Sequence, residues 1–216
     1  MARDYSGKLL VICAILKGSI PFLADLMRRL PGDVRVALIE MKSQVDGKHA
    51  SILFTEKQIQ QRVDELARQI EADHAGKPLV LCAILKGAIP FLADLMRKIR
   101  GDVRLTLIEM KSQVDGKHAS ILFTSTVDLS GQHVLVVEDI VDTGITLDYL
   151  LKHLEAERAP ASLRVAAFLD KPEARKIEVP IHYRGFTVPD KFVVGYGLDW
   201  RERYRNLPYI TWVEQE

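Results

Sequence analysis

A near-identical internal repeat constrains the fold of this chain more than any other feature of its sequence. Residues 8–55 and 77–124 align without gaps at an offset of 69, and 40 of the 48 aligned positions are identical. Such identity indicates a recent duplication or an engineered sequence, because an old duplication would have diverged further. Two copies of so long a unit do not indicate a solenoid of short repeats.

Each copy has the pattern of a strand, a loop, a helix and a second strand. In the second copy, the continuous apolar run Leu79–Leu85 predicts a strand buried on both faces. Lys86 and Gly87 end this run, and Pro90 suits the first turn of a helix. The next strand is predicted at Val103–Ile108. Apolar residues at helical spacing lie between them, at Leu92, Leu95, Met96 and Ile99.

Helices and strands continue to alternate outside the repeat. Thr55 and Gln58 have the spacing of a capping box, so a helix is predicted between the copies, with Gly76 as its stop. The second SILFT, at 120–124, is followed by no helical pattern, so there we predict a strand. Further strands are predicted at 134–137, 163–169 and 192–196, with a helix marked by Leu147, Leu150, Leu151 and Leu154.

This alternation predicts an α/β fold, with a mainly parallel sheet flanked by helices. We divide the chain into residues 1–51, an extra strand–helix–strand unit supplied by the first copy, and residues 52–216, the main domain. The sequence leaves open whether the first copy adds strands at a sheet edge, exchanges into a partner chain or packs separately.

Composition and charge argue against several classes of partner. The formal net charge is +1, so bulk electrostatics predicts binding neither to nucleic acid nor to an anionic membrane. No apolar run approaches membrane-spanning length, and the N-terminus lacks the pattern of a secretory signal. Cys13 and Cys82 occupy one position of the repeat, so they do not indicate a disulfide framework. We therefore expect a reducing, cytoplasmic setting.

The segment HVLVVEDIVDTGITL, which starts at His133, carries the clearest chemical signal. An apolar strand brings the adjacent carboxylates of Glu138 and Asp139 to its C-terminal end, where open α/β sheets bind their ligands. Carboxylates accept hydrogen bonds from hydroxyl groups and bind hard cations such as magnesium. This end of the strand is therefore predicted to bind a polyol, a divalent cation or both.

The loop after this strand leads into a helix that opens near Ile145 or Thr146. With Gly144 before it, the helix N-terminus offers backbone N–H groups to a phosphate, and Thr143 and Thr146 add hydroxyl donors. Phosphate, polyol and magnesium together describe a phosphorylated sugar. The alternative is an acidic strand end with Asp142 merely capping the helix. Neither a Walker loop nor a dinucleotide fingerprint is present.

VVEDIVDTGITL resembles the phosphoribosyl-pyrophosphate motif of type I phosphoribosyltransferases. Four further segments resemble the hypoxanthine-guanine branch of that family: ILFTEKQIQQRV, AILKG, FLDKPE and PDKFVVGYGLDWRERYRNLPYI. The resemblance covers roughly residues 52–216. It implies a magnesium-dependent purine salvage enzyme that joins hypoxanthine or guanine to phosphoribosyl pyrophosphate, acting as a homodimer or homotetramer.

The resemblance also implies how this chain would bind phosphoribosyl pyrophosphate. Glu138 and Asp139 would hold the ribose hydroxyls with magnesium nearby, and Asp199 would reach a magnesium directly or through water. The 5′-phosphate would lie in the 142–146 loop, which includes Thr143, Gly144 and Thr146. Lys86 and Gly87 would form the pyrophosphate loop, where this family often has a cis peptide bond, and Arg205 would contact pyrophosphate.

For the purine, the resemblance assigns four residues. Asp142 would lie near N7 as the general base or acid, and Lys171 would donate to O6. Phe192 would stack on the base, while backbone groups of Val193 read its edge. Taken singly, Lys171 and Lys86 also suit solvated charges, Phe192 suits a core position, and Asp199 with Arg205 suits a surface ion pair.

The chain departs from the family pattern at the predicted lid. Gln113 stands where a tyrosine is expected, and the loop after it is short, so we expect impaired closure over the transition state and weakened activity. Two other functions remain open at this stage. One is a regulator that binds phosphoribosyl pyrophosphate with little catalysis, and the other is an engineered scaffold. The sequence does not rank hypoxanthine, guanine and xanthine.

Overall fold

A computed structural model describes residues 10–13, 20–29, 34–37, 49–112, 119–123 and 127–213. The chain divides into two compact units, and the division falls inside a long helix. The first unit draws on residues 1–61 and 191–216, and the second comprises residues 62–190. None of the described helices has the length and apolar character needed to cross a membrane.

The described strands, in chain order, are β1 (Leu10–Cys13), β2 (Val34–Ala37), β3 (His49–Phe54), β4 (Leu79–Leu85), β5 (Val103–Ser112), β6 (Ala119–Phe123), β7 (His133–Val141), β8 (Ser162–Asp170), β9 (Tyr183–Thr187), β10 (Val193–Val194) and β11 (Ile210–Val213). The described α-helices are α1 (Ile20–Arg29), α2 (Glu56–His74), α3 (Ile89–Lys98) and α4 (Ile145–Arg158), and one 3₁₀ turn spans Pro172–Ala174.

The second unit is built on a six-stranded sheet in the order β6-β5-β4-β7-β8-β9. Every pair is parallel except β5 with β6, which is antiparallel. This confirms the predicted α/β fold with a mainly parallel sheet. Because β4, β7 and β8 are parallel neighbours, the loops that follow them leave the same edge of the sheet.

Apolar residues of these strands and helices form the core of the second unit. The side chains of β4 are almost entirely buried, as its continuous apolar run predicts. Phe91 of α3 contacts Phe168 of β8, with ring centroids 5.2 Å apart. Burial raises the pKa of the Cys82 thiol to about 12, so this cysteine is a packing residue. The predicted helical stripe of α4 is buried, at Leu147, Leu150, Leu151 and Leu154.

Helix α2 begins and ends where its sequence predicts. The Thr55 backbone N–H donates to Gln58 Oε1 at 2.9 Å, and the Gln58 N–H donates to Thr55 Oγ1 at 3.4 Å, so the predicted capping box is present. At the other end Ala75 and Gly76 have positive φ, which stops the helix.

In the first unit, β1 and β2 form a parallel pair with the register of the second copy. Leu10 pairs with Val34 just as Leu79, 69 positions later, pairs with Val103. A separate sheet has the order β10-β11-β3, and both of its pairings are antiparallel. The predicted boundary between residues 51 and 52 lies within β3, and the two-domain division remains a prediction.

Several strands differ from those predicted. The first SILF segment also forms a strand, β3, and β9 and β11 were not predicted at all. The predicted strand at 192–196 is reduced to Val193–Val194, because Gly195 and Gly197 have positive φ and Gly195 bridges to Leu198 in a tight turn. Strand β5 continues to Ser112, while Gln113 and the rest of the predicted lid lie outside the described residues.

A polar network joins α2, β8 and β9 in the second unit. The Tyr183 hydroxyl donates to Asp73 Oδ2 at 2.8 Å and accepts from Arg164 Nη1 at 2.7 Å. Arg164 also pairs with Asp73. Burial, followed by the hydrogen bond to Asp73, raises the pKa of Tyr183 to about 12.

This shift predicts a stabilising contribution that is lost at alkaline pH. The folded chain keeps the Tyr183 proton up to about pH 12, whereas an unfolded tyrosine releases it near pH 10. The contribution is therefore complete below about pH 10 and declines between about pH 10 and 12. The difference in urea midpoint between the wild type and Tyr183→Phe should shrink over that range, with exposed Tyr149→Phe as the control. A constant difference would contradict the prediction.

The division at residue 51 is tested by a shortened chain. A chain that starts at His49 keeps β3 whole and removes the body of the first copy. We expect it to unfold cooperatively and to bind phosphoribosyl pyrophosphate with magnesium, the ligands that the resemblance implies, since residues 52–216 contain every motif once. Calorimetry of folding and binding measures both. An unfolded or non-binding product would mean that the first copy supplies the site-forming strands.

Candidate active site

The two adjacent acidic residues lie near the end of β7, still within the sheet. Glu138 pairs with Ala167 of β8, and β7 continues to Val141. Glu138 Oε2 is buried and has no hydrogen-bond partner in the described part of the chain. Burial, and then the charge of Asp139, raises the pKa of Glu138 well above its ordinary value. A hydroxyl donor or a cation would supply the missing partner of this carboxylate.

The loop after β4 approaches the same carboxylates. The Leu85–Lys86 peptide bond is cis, immediately before the predicted Lys86–Gly87 pair. A Cβ atom on Gly87 would overlap Asp139 Oδ2, so the missing side chain allows the backbone to lie against this carboxylate. Asp139 Oδ1 accepts from the Ile140 N–H at 2.8 Å. The structure thus brings together the predicted pyrophosphate loop and the predicted ribose site.

The loop from β7 to α4 has a glycine at its turning point. Gly144 is the N-cap residue of α4 and has a φ of 82°. A Cβ atom there would overlap Ile177 O and lie 3.0 Å from Arg175 Cδ. Thr143 Oγ1 accepts from the Ile145 N–H at 3.4 Å, and Thr146 is exposed in the first helical turn. Asp142 stands two residues before the cap, so the interpretation of Asp142 as a helix cap is wrong.

Lys171 follows β8 and meets Asp142 across the sheet edge. Its side chain is only 8% exposed, and its Nζ lies 3.4 Å from Asp142 Oδ2 and 3.8 Å from Asp190 Oδ1. The carboxylate of Asp142 is 49% exposed, so the pair combines a buried cation with an accessible anion. This contradicts the alternative of a solvated Lys171.

Sequence reasoning missed the residues that hold this loop. Arg175 donates to the carbonyls of Asp142 and Val141, at 3.0 and 3.3 Å, and pairs with the buried Asp170. Arg184 Nε also contacts Asp170, at 2.8 Å. In the sequence KPEARK a single arginine is typical of a solvated surface charge, and only the fold brings it beneath the loop.

The remaining predicted residues belong to the first unit. Phe192 precedes β10 and is 37% exposed, which contradicts the core alternative, while Val193 is buried. Arg205 is mostly buried, and its Nη2 lies 2.7 Å from Asp199 Oδ1. Arg205 Nη1 also donates to the Gly197 carbonyl at 2.8 Å. These two predicted ligand-binding residues are therefore paired with each other, in a tight loop.

The acidic pair also fits the way proteins bind magnesium. Among the described residues, no cluster of three or more His, Cys, Asp or Glu side chains could hold a metal ion by itself. Magnesium is often held by one or two carboxylates together with substrate oxygens and water. The unpartnered Glu138 oxygen beside Asp139 suits such a shared site.

Comparisons with known proteins agree with this geometry. Residues 49–201 match the family model described as a phosphoribosyl transferase domain. The hypoxanthine-guanine phosphoribosyltransferase of Streptococcus pneumoniae is 43% identical over 169 residues, which cover 76% of this chain and 93% of that protein. The enzyme of the same name from Dictyostelium discoideum is 43% identical over 173 residues, covering 76% of this chain and 96% of its own.

Solved structures give the same result. A crystal structure of a hypoxanthine-guanine phosphoribosyltransferase from Bacillus anthracis has 42% sequence identity and a TM-score of 0.74, and covers 79% of this chain and 100% of that chain. Because the family model matches more than half of the chain and these relatives are matched over most of their length, the chain is a transferase that belongs to the phosphoribosyl transferase family, in its hypoxanthine-guanine branch.

Proposed function

We propose that the enzyme joins hypoxanthine or guanine to the ribose of phosphoribosyl pyrophosphate, giving the nucleoside monophosphate and pyrophosphate. The observation that carries the choice of base is the pairing of Lys171 with Asp142, 3.4 Å apart. It sets a hydrogen-bond donor beside an acceptor at the ligand-binding edge of the sheet.

This donor–acceptor pair complements one edge of a 6-oxopurine. O6 and N7 lie side by side on that edge, since a single arginine binds both of them in guanine. Lys171 has only donors and suits O6, while Asp142 accepts and suits a proton on N7. Adenine presents an amino group in place of O6, which leaves the Lys171 ammonium facing another donor.

Asp142 also suits the proton transfer that the reaction needs. The purine nitrogen attacks the anomeric carbon as pyrophosphate leaves, and the purine must lose a proton in the process. A carboxylate within reach of N7 can accept this proton as general base. The accessible carboxylate of Asp142 meets that requirement, and the buried ammonium of Lys171 holds it at the base.

The sugar phosphate is proposed to lie along the ends of β4 and β7. The carboxylates of Glu138 and Asp139 would accept from the ribose hydroxyls, and the amides that open α4 would bind the 5′-phosphate with Thr143 and Thr146. Lys86 and Gly87, which lie against Asp139, would bind the pyrophosphate. Their nearness to the acidic pair is the observation that supports this assignment.

Magnesium would be held by Glu138 and Asp139, and by Asp199 directly or through water. It would neutralise charge on the leaving pyrophosphate. Both oxygens of Asp199 are engaged, by Arg205 and by the Glu202 N–H at 2.7 Å, but a carboxylate has about four lone-pair positions. Arg205 would thus orient Asp199 as well as contact pyrophosphate.

For the purine ring we propose stacking on Phe192 and edge recognition by the backbone of Val193. The exposed ring of Phe192 is fixed by its backbone, since the Phe192 carbonyl accepts from the Val213 N–H at 2.9 Å. Such a platform costs little ordering entropy on binding. We further propose a cytoplasmic location and a homodimeric or homotetrameric state, as the family resemblance implies.

The first prediction from this site concerns the base. Hypoxanthine and guanine should be used about 10²- to 10⁴-fold better than adenine, in kcat/KM, because adenine leaves the buried Lys171 donor unpaired. Steady-state assays with the three bases and phosphoribosyl pyrophosphate give the ratio. Comparable turnover of adenine would overturn the assignment of Lys171, and no turnover of any base would favour a binding regulator.

The second prediction concerns proton transfer. Asp142→Asn keeps the shape of the side chain and removes the proton acceptor, so kcat should fall by roughly 10²-fold or more. Affinity for phosphoribosyl pyrophosphate should change much less. Asp190→Asn is the matched control, because Asp190 also faces Lys171, at 3.8 Å. Equal kcat values for the two variants would mean that Asp142 is not the base.

A further inference from the structure

The carbonyl groups of the loop after β7 are held on one side by the segment that follows β8. The Val141 carbonyl accepts from the Lys171 N–H at 2.9 Å, and the Thr143 carbonyl accepts from the N–H groups of Lys176 and Ile177, at 2.9 and 3.1 Å. Between them, the Asp142 carbonyl accepts from Arg175 Nε at 3.0 Å. Three successive peptide units are thus held by one short segment.

This arrangement fixes the direction of the amide groups as well. In a planar trans peptide the C=O and the following N–H point in opposite directions. With the carbonyls of residues 141 to 143 directed at the 171–177 segment, the N–H groups of Asp142, Thr143 and Gly144 point away from it. Successive amides directed to one side form the kind of concave site that binds anions.

Arg175 is the one side chain in this set of donors, and it is itself held rigidly. It is 7% exposed and pairs with Asp170, which is 4% exposed. Its Nη2 also reaches the Val141 carbonyl at 3.3 Å. A guanidinium donates in several fixed directions at once, whereas a lysine ammonium on a flexible chain does not replace such a fork.

We propose that Arg175, anchored by Asp170, is a positioning residue for the 5′-phosphate. It holds the 141–144 backbone in the conformation that presents the loop amides to the phosphate, and it does so from behind the loop without touching the ligand. The inference rests on the proposed assignment of the 142–146 loop to the 5′-phosphate. Arginine at this position is therefore required for affinity toward phosphorylated sugars and not for recognition of the base.

The test compares Arg175→Met and Arg175→Lys in the full chain, with magnesium present. We measure kcat, the KM for phosphoribosyl pyrophosphate, and the Kd values of inosine 5′-monophosphate and inosine, which differ only in the phosphate. In Arg175→Met the KM and the Kd of the monophosphate should rise by about 10- to 10²-fold, as expected for a displaced binding group. The Kd of inosine should change less than about twofold, and Arg175→Lys should be intermediate.

Arg184→Gln is the matched control, because Arg184 contacts Asp170 at 2.8 Å yet its side chain is largely exposed. It should keep all these constants within about twofold of wild type. If Arg175→Met does not fold, Asp170→Asn decides, since it loosens the anchor and leaves the arginine in place. It should weaken the monophosphate selectively and to a smaller degree.

Two results would overturn the inference. One is a folded variant that binds inosine 5′-monophosphate as the wild type does. The other is an equal loss for inosine and its monophosphate, which would indicate a general structural defect. Ribose 5-phosphate serves as a probe without a base. If it binds to a wild type that shows no turnover, the proposed function fails while the comparison of variants still tests Arg175. If it does not bind, the phosphate site itself is refuted.

Discussion

The parallel hydrogen bonding of β7 to β4 on one side and β8 on the other is the constraint on which the candidate site depends. In this register Ala83, Val137 and Ala166 lie side by side across the three strands. The chain therefore leaves all three strands at one edge, and the residues that follow them meet there. The acidic pair, the glycine loop and Lys171 need no direct contact in sequence, since the sheet brings their backbones together.

Charge in this site is organised in two layers that differ in how completely they are balanced. Behind the loop, the buried carboxylate of Asp170 is paired with Arg175 and Arg184, as buried charges generally must be. At the ligand side, Glu138 has a buried oxygen without a partner in the described residues. A structure that satisfies its supporting charges and leaves a ligand-facing one unmet is prepared to bind a cation or hydroxyl groups.

Much of the second unit could be predicted because its elements carry strong local patterns. The apolar run of β4, the capping box of α2 and the leucines of α4 each determine their own structure. The missed strands β3, β9 and β11 are short, and β3 and β11 pair with partners far along the chain, so no local pattern marks them. The support of the 142–144 loop by Arg175 was missed for the same reason. An isolated arginine gains its partners only when β7 and β8 lie next to each other.

The repeated SILF segment ends in two different sheets, and this has a consequence for how the chain folds. Phe123 in β6 pairs with Ile108, 15 positions away, whereas Phe54 in β3 pairs with Ile210, 156 positions away. Since the two segments are identical in sequence, only connectivity distinguishes them, and loop closure favours the nearer partner. The β5–β6 pairing should form early, and β3 must wait for the C-terminal strand. During synthesis, the first copy leaves the ribosome long before its partner exists, which makes it the segment most exposed to mispairing.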